Sequence, residues 1–392
     1  MNILYLTTVL PSQRKTGGEI ASQCFIDALE KDGHEVKVVG YQRHGDVSTK
    51  KQNEISVGYR HIETKKSQFY PLIWMGCGLI KNLPYSSAKY YSARYENQVK
   101  KLLENNSFET VIIDHAQLGW LLPSLKHKFK QVVFIAHNIE SEIYHAQFNN
   151  SKSYLARPIY HRETRRIKSL EDNLAKNVQQ VWTLTHHDWK YFQHINTATQ
   201  VFDIPSPLET LAQPSKLKTC DVGIIGSWTW KANMEGLQWF FANVYPNLPK
   251  SLSIRVAGKG AEWLDSLYPN VEYSGFVPDV QTFLTEARTI AIPSISGGGI
   301  QIKTLDAIAS GSPIVATPTA LRGIFDYPSG ITVSEESNDF AHALVEMVAS
   351  NQIVNETLYK LHQERFLWSK NRHKKFISDV SQALMMLEKA KK

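Results

Sequence analysis

The sequence predicts an α/β protein built from two doubly wound, Rossmann-like halves. Short apolar, β-branched runs alternate with longer amphipathic ones along the whole chain. That rhythm breaks once, near residue 203, and then restarts. At 392 residues the chain exceeds one ordinary core and suits two. Two such halves joined by a linker predict a cleft between them.

In the first half the expected strands are Asn2–Thr7, Glu35–Val39, Thr110–Asp114, Gln131–Ala136 and Gln180–Leu184. Continuous runs such as VVFIA are what parallel strands buried on both faces require. Amphipathic segments, for example Glu19–Lys31, lie between them as helices. The stretch DIPSPLETLAQPSKLK carries three prolines and little periodicity, so 204–218 reads as an interdomain linker. Expected strands then resume at Asp221–Ile225, Leu252–Ala257, Val271–Tyr273, Thr289–Ile292 and Pro313–Ala316. Helices are expected at Met234–Val244, Val280–Ala287, Lys303–Ser310 and Asp339–Ser350. The predicted domains are 1–203 and 219–373. A last amphipathic helix, about 374–392, is expected to pack back on the first domain; Phe376, Ile377, Val380, Leu384 and Leu387 share one of its faces.

Composition excludes several classes. Hydrophobic residues make up 42% and charged residues 21%, which is globular rather than disordered. Cys24, Cys77 and Cys220 match no zinc spacing and no dense disulfide framework, which suits a reducing compartment. The N-terminal MNILYLTTVLP has no basic segment before its apolar run and reads as a buried strand, not a signal peptide. The most apolar later stretch, Phe69–Ile80, is too short to span a bilayer. A cytoplasmic protein is expected. Residues 1–200 hold 26 Lys and Arg against 18 Asp and Glu, so the net charge of +7 belongs to the first half. A basic half suits an anionic membrane surface or phosphorylated ligands, and a peripheral position on the inner face of the membrane. No nucleic-acid motif accompanies it, so nucleic acid is not an expected partner.

The segment richest in chemistry is SISGGGIQIKTLDAIASGSPIVATPT, 294–319. It reads strand end, glycine loop, helix, turn, strand. Gly297, Gly298 and Gly299 let backbone approach a ligand and expose N–H groups. The helix that follows aims its N-terminus at the same place, an anion site suited to a diphosphate. Lys303 sits in the first turn, where the helix dipole disfavours a cation unless an anion binds there. Asp306, one turn on, can accept hydrogen bonds from ribose hydroxyls. The segment is neither a Walker A loop nor a G-x-G-x-x-G fingerprint. In the first half, Gly17 and Gly18 sit between a strand and a helix. His137 and His115 each follow a strand, at the carboxyl ends where parallel sheets bind ligands. Glu140 lies three residues beyond His137. His186, His187 and His194 do not have metal-ligand spacing, and no G-x-S-x-G elbow occurs; no metal is expected.

The 294–319 segment resembles the donor motif of retaining family-4 glycosyltransferases of GT-B fold, in a variant reading G-x-G-I-x-x-K-x-L-E-A. Gly297, Gly299, Ile300, Lys303, Leu305 and Ala307 match it, as do Gly311 and Pro313 further on. Three more blocks follow the family's order: Gly226 to Asn233 (GSWTWKAN), Val256 to Gly260 (VAGKG) and Gly275 to Val280 (GFVPDV). His137 to Glu140 is similar to the family's H-N-x-E block. The resemblance implies a GT-B architecture and sugar transfer from a nucleotide-sugar to a glycan or lipid-linked acceptor in surface polysaccharide or glycoconjugate synthesis. It implies retention of configuration, no metal and no cofactor, the nucleotide-sugar being a substrate. It assigns His137 and Lys303 to catalysis, and Gly17, Gly18, Gly226, Asn233, Lys259, Phe276, Val277, Gly299, Ile300, Gln301, Lys303 and Asp306 to the donor. His115 and Glu140 fall on the acceptor side. Three positions depart from the family pattern. Gly298 and Asp306 stand where it has glutamates, and Ser227 where it has arginine, so diphosphate charge falls to Lys303 with Lys231, Lys259 or Arg322. Two alternatives remain open: a nucleotide-sugar epimerase on the same scaffold, and a degenerate nucleotide-sugar-binding protein.

Overall fold

The computed structural model describes the chain except residues 15, 45–50, 62–68, 127, 130, 152, 155, 207–216, 351–355 and 390–392. Most of the predicted linker therefore lies outside the described residues. The chain divides into two compact units, Met1–Asp203 with Phe376–Lys392, and Ile204–Lys375.

In unit 1 the described strands are β1 (Asn2–Val9), β2 (Glu35–Arg43), β3 (Glu54–Arg60), β4 (Thr110–Asp114), β5 (Val132–Ala136), β6 (Gln180–Thr183) and β7 (Thr199–Val201). They form one parallel sheet in the order β3-β2-β1-β4-β5-β6-β7. β4 and β5 are buried along their whole length, as their unbroken apolar runs require. β3 is an edge strand with mostly half-exposed, polar-interrupted residues, and β7 is three residues long; neither offers the apolar run on which a strand reading depends. Because β1 lies between β2 and β4, the connections leave it in opposite directions. A crevice opens at the carboxyl ends of β1 and β4.

Unit 2 repeats the plan with β8 (Cys220–Ile225), β9 (Ile254–Ala257), β10 (Val271–Gly275), β11 (Ala287–Ile292), β12 (Ile314–Ala316) and β13 (Ile331–Val333). The order is β10-β9-β8-β11-β12-β13, again parallel. Its switch point lies between β8 and β11. Close packing there depends on glycine. A Cβ on Gly236 would fall 2.2 Å from the Pro293 carbonyl oxygen, where the helix Lys231–Trp239 crosses the end of β11.

Three helices differ from expectation. The α-helix starting near Met234 stops at Trp239 and continues as a π-turn over Phe240–Val244, which keeps Phe240, Phe241 and Val244 in the core. The last helix is far longer than its amphipathic end, Glu356–Lys389, and crosses from unit 2 into unit 1. Its early part is read poorly from sequence because it buries polar residues. Arg365 is fully buried and donates to the Ser329 and Gly330 carbonyls at 3.0 and 2.7 Å. Its end packs into unit 1, with Phe376 5.1 Å from Phe25, ring to ring. Finally, the apolar stretch after Phe69 is a helix, Tyr70–Ile80. Among the described residues no helix is long and apolar enough to cross a membrane.

Candidate functional site

Two constellations sit at the two switch points, one in each unit. In unit 1, Thr16 caps the helix Gly17–Lys31: its hydroxyl accepts from the Glu19 N–H and donates to the Glu19 carboxylate at 3.0 Å. Glu19 is buried and ion-paired with Arg43. Gly17 and Gly18 open this helix. A Cβ on Gly18 would lie 3.5 Å from the His115 ring, an ordinary contact distance that makes the helix start and the ring neighbours.

β4 ends in Asp114, which is fully buried. Its carboxylate accepts from the Thr7 hydroxyl at 3.0 Å and the Ser22 hydroxyl at 2.6 Å, and its other oxygen lies 2.6 Å from His137 Nε2. Burial alone would raise the Asp114 carboxyl. The charges of His115 and His137, with the hydrogen bonds of His137 and Ser22, outweigh it and hold the group well below the usual carboxylate range. The contact with Asp114 fixes the orientation of the His137 ring. The His115 ring stacks on His137 at 3.9 Å. Burial first, and then the neighbouring charge of His137, lower His115 to about 4, so it is neutral at pH 7. His115 also holds a positive φ of 79°, a strained conformation for a non-glycine residue at the end of a strand.

Asp114, His115 and His137 offer ligand atoms all within 4.8 Å of one another. The Asp114 carboxylate already has three partners there, the Thr7 and Ser22 hydroxyls and the His137 ring. Glu140 begins the helix Glu140–Asn150, and burial raises its carboxyl. The N–H groups of Glu140 and Ser141 donate to Glu171 at 3.0 and 3.2 Å. Burial pushes Glu171 up to about 8.

In unit 2, β8 delivers Gly226, whose N–H donates to the Ala257 carbonyl at 3.2 Å. The buried Trp228 donates from Nε1 to the same carbonyl at 2.9 Å and pins the loop. Asn233 links this loop to the donor motif. Its Nδ2 donates to the Ser227 carbonyl at 3.0 Å, and its Oδ1 accepts from Lys303 Nζ at 3.1 Å. Lys303 lies in the first turn of the helix Ile302–Ala309. Burial pushes its ammonium down to about 8, and among the described residues no carboxylate pairs with it. In the loop before this helix, Gly297 and Gly299 hold positive φ of 110° and 66°, a backbone conformation that favours glycine. Ile300 closes that loop, and Gln301, at the helix N-cap, accepts from the Ser294 hydroxyl through its side chain at 2.7 Å.

The structure therefore brings together Gly226, Asn233, Lys303 and the Gly297–Gln301 loop. Asp306 lies a turn further along the same helix and accepts from the Ser206 hydroxyl at 2.9 Å; burial pushes its carboxyl up to about 7. Lys259 and Phe276 form a separate pair beyond β9 and β10, with the ammonium 5.0 Å from the ring centroid. Phe276 is 66% exposed, an aromatic face open to a planar ligand, and Val277 beside it is half-buried. Lys231 pairs with Glu235 at 3.7 Å. The sequence reading missed Asp114, Thr7 and Ser22 in unit 1. Asp114 carried a signal, a carboxylate ending the apolar strand TVIID beside His115. Thr7 and Ser22 carried none, since only the sheet brings them to it.

Two parallel Rossmann-like sheets, each with its polar constellation at the switch point, define the GT-B class of fold. Residues 219–350 match the family model described as glycosyl transferases group 1. This stretch is a glycosyltransferase domain, and the chain that carries it is an enzyme. Among solved structures, the chain is similar to Alr3699/HepE of Anabaena in complex with UDP and glucose, at TM-score 0.65 and 14% identity, over 98% of this chain and 99% of that one. It is similar to WaaG, a glycosyltransferase involved in lipopolysaccharide biosynthesis, at TM-score 0.58 and 15% identity, over 99% and 98%. A Klebsiella pneumoniae protein, described as an uncharacterised 44.6 kDa protein in the cps region, is 20% identical over 82% of this chain and 84% of its own length.

Proposed function

We propose that the protein is a retaining, metal-independent transferase that moves a sugar from a nucleotide-sugar to a glycan or lipid-linked acceptor, in surface polysaccharide assembly at the inner face of a membrane. The observation that carries this reading is Lys303. Its ammonium lies at a helix N-terminus, lowered by burial and donating to the neutral Asn233 side-chain carbonyl, a setting suited to an anion. A diphosphate supplies that anion, and the N–H groups of Ile300 and Gln301 lie in the adjoining loop. UDP is the favoured nucleotide, since it is the one bound to the similar Alr3699/HepE.

On this reading the bond from the sugar C1 to the diphosphate breaks, and a bond from C1 to the acceptor oxygen forms on the same face. The acceptor's hydroxyl proton passes to the departing diphosphate oxygen. Lys303 and the helix N-terminus stabilise the charge that develops on the diphosphate. Asp306 receives the ribose, Phe276 and Val277 the base, with Lys259 beside them. Gly17 and Gly18 keep the unit 1 crevice open. His137, fixed by Asp114, contacts the donor sugar near its reacting carbon, while His115 and Glu140 line the acceptor side. No cofactor or metal takes part.

Thermal stabilisation by UDP, GDP, ADP, dTDP and NAD at matched concentrations tests this. A shift with UDP that disappears in Asp306→Ala is expected, followed by release of UDP from a UDP-sugar when acceptor is added. A shift with NAD alone would sink the reading.

A further inference from the structure

Asp114 orients the His137 ring, but the turn of chain that carries His137 is held by a residue with no assigned role. The helix Glu140–Asn150 starts just beyond His137, and its cap position is Ile139, whose side chain makes no capping hydrogen bond. The first N–H groups of a helix have no partner within it. Two of them are met from another segment: the Glu140 and Ser141 N–H groups donate to the two carboxyl oxygens of Glu171 at 3.0 and 3.2 Å. A carboxyl group at that end also suits the helix dipole.

Glu171 stands where an apolar residue would pack. It lies in the helix Ala156–Lys176, on the face that buries Ile167 and Leu174, and is itself fully buried. A buried carboxyl group costs stability that its hydrogen bonds only partly offset. What the burial secures is the turn from His137 to Glu140. That turn is also tied inward, because the side chains of Gln117 and Asn138 hydrogen-bond the Glu140 carboxyl. Gln117 lies two residues after His115, and Asn138 follows His137 directly. Glu140 thus joins the two histidine-bearing strand ends, and Glu171 fixes the backbone of Glu140.

We infer that Glu171 is a positioning residue for the proposed transfer: by capping this helix from another segment, it holds the His137–Glu140 turn so that the His137 ring meets the sugar at a fixed place. Being fully buried, Glu171 touches no substrate. Misplacing a reacting group by about 1 Å costs roughly 100-fold in rate. The inference rests on the part of the proposed function that sets His137 against the donor sugar.

The test follows UDP release from UDP-glucose by the full chain, together with the NMR signal of the His137 ring in protein labelled with 13C-histidine. Glu171→Ala should lower kcat by roughly 100-fold and leave the donor KM within about twofold, since Lys303 and Asp306 are untouched. Glu171→Gln keeps one acceptor oxygen and should lose less. Added to His137→Ala, either variant should lower kcat no further. A glutamate that only stabilises the fold would lower kcat by the same factor in both backgrounds. The His137 signal, identified by its loss in His137→Ala, should move in Glu171→Ala and move less in Glu171→Gln, while the His362 signal of unit 2 stays in place. Effects of Glu171 and His137 that multiply, or a His137 signal that does not respond to Glu171, would overturn the inference. Should Glu171→Ala fail to fold, Glu171→Gln decides by the same two readings. Wild-type protein that releases no UDP, with a His137 signal that still responds to Glu171, would remove the transfer reading and leave the positioning role.

Discussion

Lys303 and Asp114 are buried charges handled in opposite ways, and each difference is measurable. Among the described residues Lys303 has no counter-ion, and burial drops its ammonium to about 8. Below that value the fold carries an unfavourable desolvated charge, and it gains stability relative to the unfolded chain as pH rises above about 8. A bound diphosphate reverses the preference by favouring the protonated form. UDP affinity, read by calorimetry, should therefore be greatest below pH 8 and fall as pH rises through it. Lys303→Arg, charged throughout, should flatten that profile, and Lys303→Ala should lower kcat by roughly 100-fold or more. Asp114 is instead held ionised by its neighbours. Its contribution is present above the ordinary carboxylate range and is lost as pH falls through its depressed value. Asp114→Asn should cost about 1–3 kcal/mol near neutrality, and the two Tm values should converge in acid. It should also lower kcat on the order of 100-fold, as loss of the residue that orients a histidine does. Adding it to His137→Ala should change kcat little, because both act through one ring.

At the scale of elements, glycines decide how closely the loops of unit 2 approach. Gly258 follows β9 with φ +113°, and a Cβ there would fall 1.7 Å from the Gly226 carbonyl oxygen. Gly258→Ala should therefore destabilise unit 2 by about 3 kcal/mol, combining backbone strain with a forced shift of the Gly226 loop. Gly33 is the control: its φ is +84°, but nothing lies within 4 Å of the added carbon. Gly33→Ala should cost only about 1–2 kcal/mol from the backbone. Urea unfolding of both variants measures the contrast. Period and punctuation in the sequence located most of these strands. They failed where an element is not apolar on its own account. β13 is short and half-exposed, and the early part of the last helix is held by Arg365 reaching carbonyls of another segment.

For the whole molecule, the carboxyl-terminal segment belongs structurally to the beginning of the chain. Phe376, Val380, Ala383, Leu384 and Leu387 are all buried there. Gln131 and Gln180 donate from their side chains to the Leu387 and Ala383 carbonyls at 3.0 and 3.1 Å. Ending the chain at Lys375 would uncover the Phe25 and Phe202 rings on which Phe376 packs, rings that also pack on Trp182. Each lost apolar side chain is worth about 2 kcal/mol, so calorimetry should show the unit 1 transition lowered or lost. UDP stabilisation of the remaining transition should survive, because the residues proposed to hold the nucleotide, Lys303, Asp306, Phe276 and Val277, all lie in unit 2.

The residue pattern was enough to read the α/β class and the two parallel sheets, because buried parallel strands need continuous apolar runs and their connections need helices. It also determined the glycine loop with Lys303 and Asp306, since those residues are contiguous and their chemistry follows from a helix start. Tertiary structure alone decided what completes them. Asn233 reaches Lys303 across 70 residues, and Thr7, Ser22 and His137 converge on Asp114 from three other segments. The sequence named Phe69–Ile80 only as an apolar stretch too short for a span. Its outward-facing surface follows from how little of unit 1 packs against it. Local periodicity records what each segment must bury, whereas which segments meet is set by the order of strands in the sheet.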